Sequence, residues 1–231
     1  MRHFVSAACG LWLAAAAQAH AEPVVVVELY TSQGCSSCPP ADEFVTMLAS
    51  NPQILPLALH VDYWDYIGWE DKFAKGQFTD RQKAYAHAIG SRTIYTPQLI
   101  IGGADRIEGF APEKTAERLR EHMATGTPVR LTVTREGDRL VIRAEADPPL
   151  TEPVRVQLVR YKPEETVTIE RGENAGKTIT YTNIVTSWER LDDWSGREPL
   201  EMTAPFAGDE PGAVIVQKDG PAAILAAVRV D

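Results

Sequence analysis

The sequence predicts an α/β domain over residues 22–126 followed by an antiparallel, β-sandwich-like domain over residues 127–231, behind a leader at residues 1–21. Three observations carry this. From Val24 to about Thr125, strand-sized apolar runs alternate with helical periods. Beyond Thr127 the pattern turns into short alternating strands. Gly126-Thr127-Pro128 punctuates the change, the glycine suited to end a helix and the proline to begin extended chain.

The leader reads as a secretory signal peptide. Arg2 precedes an apolar stretch from Phe4 to Ala17, and Ala17-Gln18-Ala19 and Ala19-His20-Ala21 both offer small-residue cleavage sites, with Ala21 the expected end. The stretch is short for a bilayer span, and no later stretch is long enough for one, so no membrane insertion is expected after cleavage. The expected location is the periplasm or another exported compartment. With 231 residues, 44% hydrophobic and 24% charged, the composition is that of a soluble chain. Its formal net charge of −9, from 23 basic and 32 acidic side chains, repels phosphate, so nucleic acid is not an expected partner.

In the first region Val24 to Tyr30 reads as a buried strand and Thr31 to Cys38 as a loop. Pro39 or Pro40 then opens a helix whose apolar stripe is Phe44, Met47 and Leu48. A second strand spans Ile54 to Val61 and leads into the aromatic segment Asp62 to Trp69. Thr79-Asp80-Arg81-Gln82 has the spacing of a capping box and predicts a helix from there to Gly90. Gln98 to Ile101 and Arg106 to Phe110 form a hairpin through Gly102-Gly103, and Pro112 opens a last helix carrying Ala116, Leu119 and Met123. In the second region Glu136-Gly137-Asp138 turns a hairpin between strands around Leu131 and Ile142. Further strands are expected at Val154 to Tyr161, Thr166 to Glu170, Lys177 to Trp188, Ala213 to Gln217 and Ala223 to Val230.

The chemistry concentrates in Cys35-Ser36-Ser37-Cys38. The third cysteine, Cys9, leaves with the leader, and an exported pair of thiols can persist as a disulfide. So short a ring restrains the chain little, which argues against a purely stabilising bridge. A Cys-x-x-Cys motif can also be half of a zinc site or a soft-metal clamp. The remaining histidines His60, His87 and His122 do not stand at zinc-finger spacing, so no metal site is assigned. Directly after a buried strand and before a helix, free amides and the helix dipole favour a thiolate. Cys35, on the loop side, is the expected exposed nucleophile, and Cys38, about one turn deeper, the resolving thiol.

Strand, Cys-x-x-Cys-Pro, helix, and then Tyr95-Thr96-Pro97 ahead of a hairpin resemble the thioredoxin fold. The resemblance covers Val24 to Thr125. It implies that Pro97 is a cis proline facing the cysteines and that Thr96 offers backbone hydrogen bonds to an incoming peptide. Without it Pro97 would be expected trans, since only about 5–6% of X–Pro bonds are cis. The chain departs from common thioredoxins in its Ser-Ser centre and in carrying Gly34 where a tryptophan usually precedes the first cysteine. The fuller string Glu28 to Asp42, with His60 to Trp69 and Gly172-Glu173-Asn174-Ala175-Gly176, is similar to a family of exported bacterial proteins, domain of unknown function family 1223. That similarity implies a thioredoxin-like domain with an appended β domain and names no substrate.

Two further features border the motif. Glu28, in an otherwise apolar strand, is a candidate proton shuttle for Cys38, since thioredoxins often bury an acid one position nearer; an acid at a strand edge reaching solvent is the favoured alternative. Trp64 and Trp69 either grip a partner beside the cysteines or simply cover the sheet. The Gly172 to Gly176 segment reads as a hairpin turn with no chemistry. The sequence thus points to an exported thiol–disulfide oxidoreductase acting on protein or small-molecule thiols and disulfides. Cys35 and Cys38 are catalytic, Thr96, Pro97 and Trp64 bind substrate, and no cofactor is implied. The alternatives are a partner-binding module with a redox-sensitive disulfide and a copper carrier.

Overall fold

The structure, a computed structural model, describes residues 24–231; the expected leader and Cys9 lie outside the described residues. Strand β1 (Val25–Thr31) is followed by helix α1 (Pro39–Ala49), β2 (Ile54–His60), a single 3-10 turn (Asp65–Ile67), α2 (Gly76–Ala88), the hairpin β3 (Gln98–Ile101) and β4 (Asp105–Glu108), and α3 (Pro112–Ala124). Strands β5 (Val129–Glu136), β6 (Arg139–Ala146), β7 (Val154–Thr168), β8 (Thr178–Trp194), β9 (Leu200–Pro205), β10 (Gly212–Lys218) and β11 (Ile224–Val230) complete the chain.

The strands make two sheets, one of eight strands in the order β11-β10-β7-β8-β2-β1-β3-β4 and one of three, β5-β6-β9. The larger sheet crosses the expected boundary at residue 126, because β8 lies parallel to β2, with Ala58 opposite Ile184. Gly126 therefore marks a change of strand pattern rather than a break in the sheet. Leu131 and Ile142 of the small sheet, with Phe206 just beyond β9, pack against Val156, Val214 and Val228 of the large one, a two-layer arrangement in which one layer is shared with the first region.

β1 is buried on both faces, which explains its nearly unbroken apolar run. Val27 and Leu29 pack on α1 and α3 through Ala41, Val45 and Leu119. Val26 and Tyr30 face α2 with Phe78 and Tyr85. The large sheet curls around α2, so that Ile224 N donates to Gly102 O at 2.7 Å and Val24 N to Ala227 O at 3.4 Å.

Several elements differ from the sequence reading. The buried stripe of α1 is Ala41, Asp42 and Val45, while Met47 is 58% exposed. Helix α2 begins at Gly76 without a side-chain cap, because Thr79 instead donates to Asp62 Oδ1 at 2.6 Å. The two strands expected between Val154 and Glu170 are one. A proline costs the ladder a donor, but Pro163 falls between the paired Lys162 and Glu164, opposite Asn183 with its φ of 50°, and the register runs through unshifted. β9, with Leu200, Met202 and Ala204 alternating inward, was not anticipated and supplies the third strand of the small sheet.

Candidate functional site

Cys35 and Cys38 form a disulfide at the C-terminal end of β1, with Cys38 as the N-cap residue of α1. Pro39 and Pro40 open the helix and have no N–H, and the next two amides, of Ala41 and Asp42, both donate to Cys38 O. The expected supply of free amides at the helix start is therefore small; what reaches Cys35 Sγ is the Ser37 hydroxyl, at 3.5 Å.

Cys35 is not the exposed sulfur expected: it is 1% exposed and Cys38 is fully buried, while Ser36 and Ser37 between them are exposed. Neighbouring segments enclose the loop. A Cβ on Gly34 would come within 3.1 Å of Trp64 Cβ and 3.2 Å of Ile67 Cδ1, so a side chain at this position, a tryptophan in thioredoxins, would have to push these neighbours back by a few tenths of an ångström. Trp69 Nε1 donates to Gln33 Oε1 at 2.7 Å, and Asp71 Oδ2 accepts from Gln33 N at 2.8 Å. The Gly172–Gly176 segment forms the tip joining β7 to β8, and it carries a role the sequence reading missed. The amide of its buried Asn174 donates to Gln33 O at 2.9 Å and to Cys35 O at 2.8 Å. A buried asparagine in an otherwise polar, glycine-bearing turn was the available signal.

The Thr96–Pro97 bond is cis, and Thr96 O lies 3.5 Å from Ser37 Oγ, so this segment meets the cysteine loop. Trp64 is half-buried and donates through Nε1 to Thr96 Oγ1 at 2.8 Å. Trp64 and Trp69 thus brace the two segments that flank the disulfide; they neither stand free nor merely cover the sheet.

Glu28 is neither at a strand edge nor beside the sulfurs. It is fully buried and points, like Val26 and Tyr30, to the α2 face, away from α1. Its carboxylate accepts from Arg81 Nε (2.7 Å) and Nη2 (2.8 Å), Tyr30 OH (2.9 Å) and Tyr85 OH (2.6 Å). Burial opposes the Arg81 charge, but Glu28 and Tyr85 beside it more than offset that and raise its pKa above the ordinary value. The guanidinium lies 3.7 Å from the Trp188 ring centroid. With its carboxylate oxygens engaged by four donors on the α2 face, Glu28 is committed to this network and not to the cysteines.

The acid on the cysteine side is Asp42. It follows Cys38 by four positions on α1, is 3% exposed, and accepts from Thr31 Oγ1 at 2.8 Å. Burial pushes its pKa up to about 7, against the opposing pull of His60 and the Thr31 hydrogen bond. His60, at the end of β2, is fully buried and places Nδ1 2.7 Å from Asp71 Oδ2, a contact that requires the proton on Nδ1. Burial would raise Asp71, but His60 and the amides of Gln33 and Phe73 outweigh it and hold that carboxyl below its ordinary value. Tyr181 of β8 packs edge-on against the His60 ring at 4.8 Å. Three buried atoms of this cluster, Asp42 Oδ2, His60 Nε2 and the Tyr181 hydroxyl, have no hydrogen-bond partner.

Among solved structures the chain is similar to protein AGR_C_4864 from Agrobacterium tumefaciens, at 31% identity and a TM-score of 0.77, over 90% of this chain and 95% of that one. It is also similar to HBP35 of Porphyromonas gingivalis, at 14% identity and a TM-score of 0.64, over 90% of this chain and 74% of that one, a likeness of fold alone. No curated protein matches it. The profile of the family described as protein of unknown function (DUF1223) matches residues 26–217, which contain both cysteines, the Asp42–His60 cluster and the Asn174 clamp, and the chain belongs to that family.

Proposed function

We propose that this protein is an exported, periplasmic thiol–disulfide oxidoreductase whose first region is thioredoxin-like, with Cys35 as nucleophile and Cys38 as resolving thiol. The observation that carries the reading is the setting of the Cys35–Cys38 bridge. It joins the end of a buried strand to the start of a helix, beside the Thr96–Pro97 segment. A disulfide closing so short a loop contributes little stability through chain entropy, so its chemistry is the better account of its presence.

In the reductive half of the cycle a substrate thiolate attacks Cys35 Sγ, the S–S bond breaks, and its electron pair leaves on Cys38 Sγ. A second substrate thiolate then displaces Cys35 from the mixed disulfide, leaving an oxidised substrate and two protein thiols. The same bonds made and broken in reverse oxidise the pair. The exposed Ser36-Ser37 and the Thr96 carbonyl form the docking edge, and Trp64 acts by holding the Thr96 side chain.

Exchange with a peptide disulfide, followed by mass spectrometry, tests this. Cys35→Ser abolishes exchange, and Cys38→Ser accumulates a mixed disulfide on Cys35. Full exchange activity in either variant overturns the reading.

A further inference from the structure

We infer that Asp42, supported by the His60–Asp71 pair, takes up and returns the proton of the Cys38 thiol. This rests on the oxidoreductase reading above and adds to it the group that manages the buried proton.

The geometry carries the argument. Cys38 keeps helical dihedrals as the α1 N-cap, so Asp42, four residues on, lies on the same face one turn below it. Both residues are buried, and a Cys38 thiolate released inside the protein has no water to protonate it. Asp42 keeps one carboxylate oxygen, Oδ2, without a partner while Thr31 holds the other. Buried polar atoms are almost always satisfied in folded proteins, so three unsatisfied ones around a single carboxyl mark a site kept open for chemistry. Glu28, by contrast, is saturated on the opposite face of β1.

Asp42 meets Thr31 from β1, and the titratable groups coupled to it are His60 from β2, Asp71 from the loop after β2 and Tyr181 from β8, while Cys38 stands one helical turn before it at the start of α1. A pKa of about 7 lets the carboxyl serve as acid and as base near neutrality. When the disulfide is reduced, Cys38 leaves as a thiolate and takes the proton of the Asp42 carboxylic acid. The resulting carboxylate keeps the Thr31 hydrogen bond and is stabilised by the His60 field, and Asp42 regains its proton from solvent. The second substrate thiol, deprotonated in solvent, displaces Cys35 as a thiolate. On reoxidation the Cys38 thiol gives its proton to the Asp42 carboxylate as it attacks the mixed disulfide. His60 and Asp71 are positioning residues here.

The test is the rate at which dithiothreitol reduces the purified mature protein, corrected for the thiolate fraction of the reagent, from pH 5 to 9. The wild-type rate inflects near pH 7. Asp42→Asn removes the inflection and slows reduction below it by about 10²-fold. Thr31→Val and His60→Gln each remove an influence that lowers the Asp42 pKa, so they keep the inflection and move it to higher pH. Thr31→Val carries no charge change and tests the assignment even if Asp42→Asn folds poorly. Superimposable profiles for wild type and Asp42→Asn, or an unmoved inflection in Thr31→Val, overturn the inference. A folded wild-type protein whose disulfide dithiothreitol fails to reduce overturns the oxidoreductase reading instead.

Discussion

On one face of β1, Glu28 accepts four hydrogen bonds, two of them a bidentate ion pair with Arg81; on the other, Asp42 accepts one and leaves an oxygen bare. Both carboxyls are buried, both lie within a few residues of the cysteines in sequence, and either could pass for a catalytic acid. What separates them is satisfaction. The Glu28 network continues through Tyr85, Gln217 and Gln157 to Trp188, tying α2 to β1, β7, β8 and β10 with its donors and acceptors matched. Such a network fixes the geometry of its members. The Asp42 cluster is under-satisfied, and burial puts its carboxyl at a pKa of about 7, close to the point where a proton comes and goes.

The comparison breaks most sharply at Glu28. Glu28→Ala strands the Arg81 guanidinium in the core and costs about 3–5 kcal/mol of stability in urea unfolding. Where the variant is folded, its pH profile of disulfide reduction is that of the wild type. A loss below 1 kcal/mol would mean that the network is not holding α2 in the curl of the sheet.

Asp42→Asn has the opposite sign. A carboxyl raised from 3.8 to about 7 binds more protons folded than unfolded, so its contribution falls as pH rises between those values. The variant therefore gains on the wild type over that interval, by roughly 4 kcal/mol at full extent near pH 8. Denaturation midpoints at pH 4 and pH 8 check this, and a difference that does not change with pH contradicts the burial of an ionisable carboxyl there.

Asn174→Ala sharpens the comparison from the second region. It leaves the Gln33 and Cys35 carbonyls without their donor, costs about 1–3 kcal/mol, and speeds reduction of the disulfide by loosening its cover. Equal reduction rates in variant and wild type would show that the clamp does not restrain the cysteine loop.

The parts of this picture visible in the sequence are those set by local pattern. β1, the proline-led start of α1, the Gly102-Gly103 hairpin and the turn at Gly137 follow from neighbouring residues alone. Cys35 and Cys38 declare themselves by spacing. Glu28 and Asp42 were harder because their environment is assembled from afar: Arg81 and Tyr85 arrive from α2, His60 from β2 and Tyr181 from β8. Asp42 stands in the first turn of a helix, where an acid usually complements the dipole at the surface, so position alone does not single it out. Asn174 looked like part of a turn, and only the length of the β7–β8 hairpin carries it to the cysteines.

The pairing of β2 with β8 also decides when a newly made chain becomes complete. The cysteines and α1 are synthesised early, but the free edge of β2 waits for Thr178–Trp194, and until then it presents unpaired backbone groups that another chain can capture. Asn174 and Tyr181 arrive on the same hairpin, so the cover over the disulfide and the last member of the Asp42 cluster come with the strand that seals the sheet. A fragment ending at Gly126 would carry both cysteines and an open edge, and aggregation would be its characteristic fate.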